Sequence, residues 1–352
     1  MKKIIILLLF SGIGAILSGC CFYTVSLSKK ADGGIYCTAE QATQMLSFPT
    51  MNYLISGSRY YYATAGRIPG KTGRTGAVAV LKKSTGMNIL QCVSAEGITP
   101  CHLTLSPDEN FLYTANYSSG DVSEFRLVNG RIAGSPRRIR HTGKGITKRQ
   151  LSPHPHFVGF SPEGKQLFVS DLGTDEIFIY DYHPGKGIQL PCAEKLKLPP
   201  GSGPRHLVFS PCGKYLYTAN ELNSTASGFV KNNGKWLLFK TVSTLSQNVS
   251  TRNSPGAIKI TADGKFFFIS NRGHNSIAFF ETRANGDFQL LDAVPSPGNF
   301  PSDILLIDNE KRLAVSHLKS GTVHFFKLDK KNKKLIAEQH SLTVPQAIAL
   351  CR

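Results

Sequence analysis

Arginine, glutamate and histidine side chains stand at corresponding places in several repeated segments of this sequence. Arg205 and His206 follow a proline, whereas Glu221 and Arg272 each follow an asparagine. A glutamate or a histidine can accept and return a proton, and an arginine fork can hold a carboxylate, a phosphate or a developing oxyanion. If the fold brings them together, these residue types predict acid–base chemistry on an anionic substrate.

Prolines in one register divide the chain into repeats of similar length. The register residues are Pro100, Pro155, Pro204, Pro255, Pro301 and Pro345, at intervals of 55, 49, 51, 46 and 44 residues. Thr50 takes a seventh place, 50 residues before the first of them. After each position come alternating apolar residues, a turn resembling Ser-Pro-x-Gly and a second β-rich run, which is typical of a β-hairpin. A third strand usually follows, and a fourth has room before the next proline.

Four strands repeated at this interval predict a β-propeller, because helical repeats of similar length would have a 3.6-residue periodicity that is absent here. The last segment, residues 345–350, has room for an inner strand alone. We therefore expect residues 21–27 and 34–39 to complete its blade. The predicted fold is all-β, a seven-bladed β-propeller of four-stranded antiparallel blades whose ring is closed by N- and C-terminal strands. Cys37 and Cys351 would then share the closing blade, and the sequence leaves open whether they form a disulfide.

The hairpins define one face of this ring. The first two strands of each blade run antiparallel, so the start of the first and the end of the second meet around one central mouth. The substrate-binding groups expected at this mouth are His206, Asp171, Asn271, His274 and Asn116. Polar residues gather at any propeller mouth, so a purely structural role stays open for each of them singly.

Three segments resemble the seven-bladed lactonase family, which contains the propeller-type 6-phosphogluconolactonases and fungal carboxymuconate cyclase. They are residues 203–225 (GPRHLVFSPCGKYLYTANELNST), 154–182 (HPHFVGFSPEGKQLFVSDLGTDEIFIYDY) and 263–281 (DGKFFFISNRGHNSIAFFE). The resemblance covers residues 51–350 and implies lactone hydrolysis or closure in the central cleft, without a metal or other cofactor. The catalytic residues that it implies are Glu221, Arg205, Arg272 and either His154 or His156.

Two positions depart from the family pattern. The sixth inner strand starts with Pro301-Ser302 where the family usually has Pro-Arg, and a later Asn-Gln pair is replaced by Ser316-His317. If the replaced groups position the acidic end of the substrate, the substrate differs or activity is lost. A non-catalytic binding propeller for an acidic glycan or a protein partner therefore stays open as the alternative.

The N-terminus resembles a bacterial lipoprotein signal. Lys2 and Lys3 precede an apolar stretch, and the motif LSGC ending at Cys20 resembles a lipobox. Acylation of Cys20 would anchor the mature chain in the cell envelope, and Cys21 in place of Asp favours the outer membrane by resemblance to Gram-negative sorting. An ordinary signal peptide is the alternative. The expected organisation is a signal peptide over residues 1–19, an anchor and closing strands over 20–48, and the propeller over 49–352.

Composition limits the class of protein and its partners. Of 352 residues, 41% are hydrophobic, which excludes wholesale disorder, and 41 Lys and Arg against 23 Asp and Glu give a net charge of +18. Such a charge favours anionic partners. No recognition-helix, zinc-finger or RNP pattern points to nucleic acid, and the cysteines lack metal-ligand spacing. We expect a monomer whose partners are a small acidic or sugar lactone and, through Cys20, the membrane.

The predicted function is therefore that of an envelope-anchored, 6-phosphogluconolactonase-like lactone hydrolase. In this hypothesis Glu221 or a mouth histidine activates water toward the lactone carbonyl. Arg205 and Arg272 steady the anionic substrate and the developing oxyanion, and His206 orients them.

Overall fold

The computed structural model describes residues 22–68, 70, 73–84, 87–246 and 251–352, and every regular element in this part is a β-strand. The strands form seven antiparallel sheets whose inner strands contact one another in a closed ring. The predicted seven-bladed propeller is confirmed. The predicted signal peptide, residues 1–19, and the predicted lipidation site Cys20 lie outside the described residues. Within the described ranges, no helix has the length and apolar character needed to span a membrane.

The blades are numbered here in chain order, with strands given from the axis outward. Blade 1 comprises Met51–Ser56, Tyr60–Ala65, Thr75–Lys82 and Ile89–Ile98. Blade 2 comprises Pro100–Leu105, Phe111–Asn116, Asp121–Val128 and Arg131–Arg140. Blade 3 comprises Pro155–Phe160, Gln166–Asp171, Glu176–His183 and Glu194–Lys197, with Gly187–Ile188 paired to the end of its third strand. Blade 4 comprises Pro204–Phe209, Tyr215–Asn220, Thr225–Asn232 and Lys235–Ser243. Blade 5 comprises Ser254–Ile260, Phe266–Arg272, Ser276–Thr282 and Phe288–Pro295. Blade 6 comprises Pro301–Ile307, Arg312–His317, Thr322–Asp329 and Lys334–Thr343. Blade 7 comprises Ala347–Cys351, Phe22–Ser26, Gly34–Thr38 and Ala42–Ser47.

In blades 2 to 6 the second strand is the most deeply buried, because neighbouring blades cover both of its faces. Every residue of Phe111–Asn116 and of Tyr215–Asn220 is buried, and both strands are rich in aromatic and β-branched residues. The outer strands instead expose many of their side chains, as in Lys334–Thr343. Charged residues on such an edge strand oppose pairing with another sheet. The core therefore lies between blades, in layers around the axis.

A β-bulge occurs near the start of every inner strand. In blade 4, Pro204 pairs with Asn220 and His206 with Ala219, so Arg205 is an extra residue without a partner in the ladder. The same irregularity is present in the inner strands of the other six blades. A bulge bends the strand and redirects side chains, and bulges are common beside active sites. Here it lets consecutive residues both approach the axis at the mouth.

The ring is closed by pairing of the two ends of the described chain. Phe22–Ser26 lies beside Ala347–Cys351, with Tyr23 opposite Cys351 and Thr24 opposite Leu350. Cys37 lies opposite Tyr23 on the other side of that strand. A whole strand therefore separates Cys37 from Cys351, which excludes the disulfide that the sequence left open.

Candidate active site

The mouth side chains are placed by strand ends and by the bulges. Arg205 occupies the bulge of blade 4, and Glu221 directly follows the second strand of that blade. The backbone N–H of Glu221 donates to the carbonyl of Gly203 at 2.8 Å, which fixes the start of the turn. Arg272 ends the second strand of blade 5, where its Nε donates to the carbonyl of Ser254 at 2.9 Å. The ends of these two second strands therefore place Glu221 and Arg272 at the same rim.

Glu221 is the centre of the cluster that these elements form. Its Oε2 lies 2.5 Å from Nη2 of Arg272 and 3.1 Å from Nε of Arg205. Its Oε1 lies 2.6 Å from Nη1 of Arg149, a residue of the connection between blades 2 and 3. Three guanidinium groups from different parts of the chain therefore surround one carboxylate, of which only 5% is exposed.

The charges in this cluster determine its protonation. Burial alone would raise the pKa of Glu221, but the charges of Arg272, Arg205 and Arg149 hold it well below its usual value. Glu221 is therefore ionised over the ordinary pH range. Burial, reinforced by Arg272, lowers the pKa of Arg205 to about 10, and Arg205 stays charged at neutral pH.

Arg205 has an unused donor. Its Nε faces Oε2 of Glu221 at 3.1 Å, but the geometry is not that of a hydrogen bond, and this buried N–H has no acceptor among the described residues. Its Nη1 donates to Nε2 of His206 at 3.2 Å. A buried donor without an acceptor is costly, so an oxygen atom of a ligand is its natural partner.

Three imidazoles fill the axis beside this cluster. The ring of His206 lies 5.2 Å from that of His102 and 5.3 Å from that of His156, with each pair edge-to-face. Burial, followed by nearby cations, lowers the pKa of all three histidines well below the usual value. All three are therefore neutral at pH 7, and His206 can accept the hydrogen bond from Arg205. A neutral imidazole at this position can also take up a proton during a reaction.

The outer rim contains an aromatic shelf. The ring of Tyr117 stacks on that of His154 at 4.5 Å, and Nδ1 of His154 is 2.8 Å from the carbonyl oxygen of Tyr117. The Tyr117 hydroxyl accepts a hydrogen bond from Nη2 of Arg149 at 2.9 Å. Of the two candidate histidines, His154 therefore belongs to the half-buried rim, whereas His156 lies inside, next to His206.

Three of the predicted substrate-binding residues are fully buried and hydrogen bonded within the scaffold. Asn116 donates to Asp121 and Ser123, and Asn271 donates to Ser276 and to the carbonyl of Thr244. Asp171 accepts from the backbone N–H groups of His154 and Gly173 and pairs with His141. The structure does not bring these three side chains to Glu221. Their direct contact with a substrate stays a prediction, and the hydrogen bonds place them as supports of the rim.

His274 lies in the turn after Arg272, where its Nδ1 hydrogen bonds with Ser276 at 2.8 Å. It is half-buried at the rim. His206, the fifth predicted binding residue, is part of the inner cluster described above.

Arg149 is the residue that sequence reasoning missed. It lies in a connection with no strand pattern of its own, so no register position pointed to it. The signal was the interval of 55 residues between Pro100 and Pro155, the longest in the series, in a stretch that also carries several basic residues. An insertion beside the mouth is a place where a binding residue is expected.

Cys101, at the bulge of blade 2, is unsuited to act as a nucleophile. Its Sγ lies 3.7 Å from Nδ1 of His156, but burial raises the pKa of the thiol to about 12. The reactive form of cysteine is the thiolate, which is scarce under these conditions. Among the described residues, no group of three or more histidine, cysteine, aspartate or glutamate side chains is placed to hold a metal ion. The groups available for chemistry are thus a carboxylate, neutral imidazoles and guanidinium donors.

A family model and a curated relative both assign the chain to the same protein family. The family model named "Lactonase, 7-bladed beta-propeller" matches residues 29–351. The chain is 31% identical over 282 residues to the 6-phosphogluconolactonase of Bacillus subtilis, covering 79% of this chain and 80% of that protein.

Solved structures agree on the fold. A putative 6-phosphogluconolactonase from Bacteroides fragilis is 26% identical with a TM-score of 0.85, covering 94% of this chain and 96% of that one. A periplasmic gluconolactonase of Pseudomonas aeruginosa has a TM-score of 0.86 at 24% identity, covering 94% and 98%, and is evidence for the fold alone. The chain belongs to the lactonase family of seven-bladed β-propellers, and this membership supports a lactone-hydrolysing enzyme.

Proposed function

We propose that this protein hydrolyses an acidic or sugar lactone without a metal ion, with Glu221 as general base. The observation that carries this proposal is the contact of one buried, ionised carboxylate with three guanidinium groups at the mouth, one of which has an unused N–H donor. A base beside pre-oriented cationic donors is the arrangement that attack on a carbonyl requires.

The proposed reaction needs one water molecule. Glu221 takes a proton from the water as its oxygen attacks the lactone carbonyl carbon. The carbonyl oxygen becomes an oxyanion, which the free Nε–H of Arg205 and the guanidinium of Arg272 stabilise. When the tetrahedral intermediate collapses, the ring C–O bond breaks, and the leaving alkoxide takes the proton back from Glu221. The product is the open-chain hydroxy acid.

Glu221→Gln tests this assignment. Glutamine has almost the same shape but cannot take up the proton, so hydrolysis should fall to background. Proton release from a panel of sugar and acyl lactones, followed with and without a chelator, measures the reaction. Glu163→Gln is the matched control, because Glu163 is an exposed turn residue on the opposite face of the ring. Unchanged turnover in Glu221→Gln would show that Glu221 is not the general base. Loss of activity with the chelator would show that hydrolysis needs a metal ion.

A non-catalytic binding propeller is the second candidate, and blade 6 favours it. Ser302 donates to the carbonyl of Phe300, and His317 is fully buried and hydrogen bonds with Ser296 at 2.6 Å. Blade 6 therefore adds no cation to the mouth at the positions where the family pattern differs. Binding of acidic sugars without hydrolysis of any lactone in the panel would favour this candidate.

We also propose that the mature protein is lipid-anchored at Cys20 in the cell envelope, as the LSGC motif suggests. The inner strands start at the mouth, so Cys351 and its partner Tyr23 lie toward the opposite face. Cys20 precedes Tyr23 by only three residues. An anchor there would hold the opposite face against the membrane and leave the mouth open to its substrate.

A further inference from the structure

The connection between blades 2 and 3 holds Arg149 over the mouth. Gln150, the next residue, is fully buried, and its Nε2 donates to the carbonyl of Leu172 at 2.9 Å and to Asp175 at 2.7 Å. Asp175 in turn accepts the backbone N–H groups of Gly201 and Gly203 at 2.7 Å each. These contacts fix the backbone at Gln150 and therefore also position the backbone of Arg149. The side chain of Arg149 extends into the mouth.

Arg149 differs from the other two arginines of the cluster in its exposure. Its side chain is 46% exposed, against 9% for Arg205 and 11% for Arg272. Arg205 and Arg272 are held by further contacts with His206 and with backbone carbonyls. Among the described residues, the hydrogen-bond partners of Arg149 are Glu221 and the rim hydroxyl of Tyr117. An ion pair that is exposed to water is weak, so an incoming anion can compete for this guanidinium.

The two oxygens of Glu221 are not equivalent. Arg205 and Arg272 both face Oε2, and Arg149 alone occupies Oε1. If Arg149 moves away, Oε1 becomes free to accept a proton from water, while Oε2 stays held. The cluster also has an excess of positive charge, because three guanidinium groups share one carboxylate and the neighbouring histidines are neutral.

We propose that Arg149 recognises an anionic group of the substrate, a phosphate or carboxylate, and leaves Oε1 of Glu221 when it does so. The same movement binds the acidic end of the substrate and frees the base, so the enzyme is activated by the substrates that carry the anion. This inference rests on the proposed lactone hydrolysis. It predicts a preference for acidic over neutral lactones that a single exposed residue controls.

The test compares glucono-δ-lactone with its 6-phosphorylated form in wild type and Arg149→Ala. The kcat/KM for the phosphorylated lactone should fall by roughly 10- to 100-fold, which is the usual loss for a hydrogen bond to a charged group. The kcat/KM for the neutral lactone should rise, because Oε1 is then always free. Lys148→Ala is the matched control, since it removes an adjacent exposed positive charge of the same loop and should leave the ratio unchanged. Arg149→Lys keeps the charge and should retain part of the preference.

The pH profile provides a second readout. Loss of one cation raises the pKa of Glu221, so the acid limb of kcat/KM for the neutral lactone should move to higher pH in Arg149→Ala. Thermal unfolding checks that each variant is folded. An equal fall on both substrates, or an unchanged ratio, would overturn the role of Arg149 while the proposed hydrolysis survives. If the wild type hydrolyses no lactone of the panel, the proposed function and this inference both fail. Hydrolysis of neutral lactones alone would overturn this inference and leave the proposed function standing.

Discussion

Arg205 and His206 are adjacent in the chain, and Nη1 of Arg205 donates a hydrogen bond to Nε2 of His206 at 3.2 Å. In a regular strand their side chains would point to opposite faces of the sheet. The bulge at Arg205 removes this alternation, so that the guanidinium reaches Glu221 while the imidazole packs against His102 and His156. A departure from regular strand geometry therefore builds the centre of the candidate site.

Arg205→Lys should reduce kcat/KM for lactone hydrolysis by on the order of 100-fold, as does the loss of one oxyanion donor in other enzymes. Lysine keeps the charge, but its three N–H groups lie on one nitrogen and cannot reproduce the planar fork by which the guanidinium reaches both Glu221 and His206. Initial-rate kinetics measure the effect, and Arg283→Lys, at a side chain that is 61% exposed, serves as the control. Wild-type rates in Arg205→Lys would show that this guanidinium does not stabilise the transition state.

Acid should destabilise the protein in part through His317. Burial, and then the neighbouring His324, lowers the pKa of His317 to about 3 from its usual 6.5. Between these values the unfolded chain binds a proton that the folded chain does not, so the free energy of unfolding falls as the pH falls. His317→Gln should reduce this dependence by up to about 1.4 kcal/mol per pH unit.

Urea unfolding between pH 7 and pH 4 measures that slope. His183→Gln removes an exposed histidine and should leave the slope as in wild type. Equal slopes for wild type and His317→Gln would mean that His317 is protonated in the folded state, contrary to its buried position.

Thiol reagents should distinguish the cysteines. Cys212 is exposed, and hydrogen bonds from Ser210 and from the backbone of Lys214 lower the pKa of its thiol. Iodoacetamide at pH 8 should therefore modify Cys212 well before the half-buried Cys101, whose thiol has a raised pKa, as mass spectrometry of peptides would show. Activity should be unaffected, and Cys101→Ser should also remain active. Inactivation that follows modification of Cys101 would point to a cysteine nucleophile.

Anchoring depends on Cys20 if the proposed lipoprotein signal is used. Cys20→Ala should move the protein from the membrane fraction to the soluble fraction, because acylation requires the thiol. Cys21→Ala, one residue further on, should remain in the membrane fraction. Immunoblots of fractionated cells and the mass of the N-terminal peptide measure both outcomes. Membrane association of Cys20→Ala would exclude an anchor at this residue.

Much of the site could be predicted from the repeat. The register of prolines gave the inner strands, and antiparallel pairing placed Arg205, Glu221 and Arg272 on one face, where they make contact. The same reasoning placed Asn116, Asp171 and Asn271 at the ends of their strands, but it could not assign their side chains to hydrogen bonds within the scaffold. The direction of a side chain at a strand end depends on the neighbouring turns, which the period alone does not describe.

The amino-acid sequence by itself determined the number of blades and the closure by the N-terminal strand, because local alternation and turn residues are properties of short segments. Only the tertiary structure decided that Arg149 reaches Glu221. Its position depends on Gln150, in the connection between blades 2 and 3, and on Asp175, in a turn of blade 3, and these two residues contact each other only in the folded ring. Contacts between residues distant in the chain depend on packing, and one sequence without its fold does not specify them.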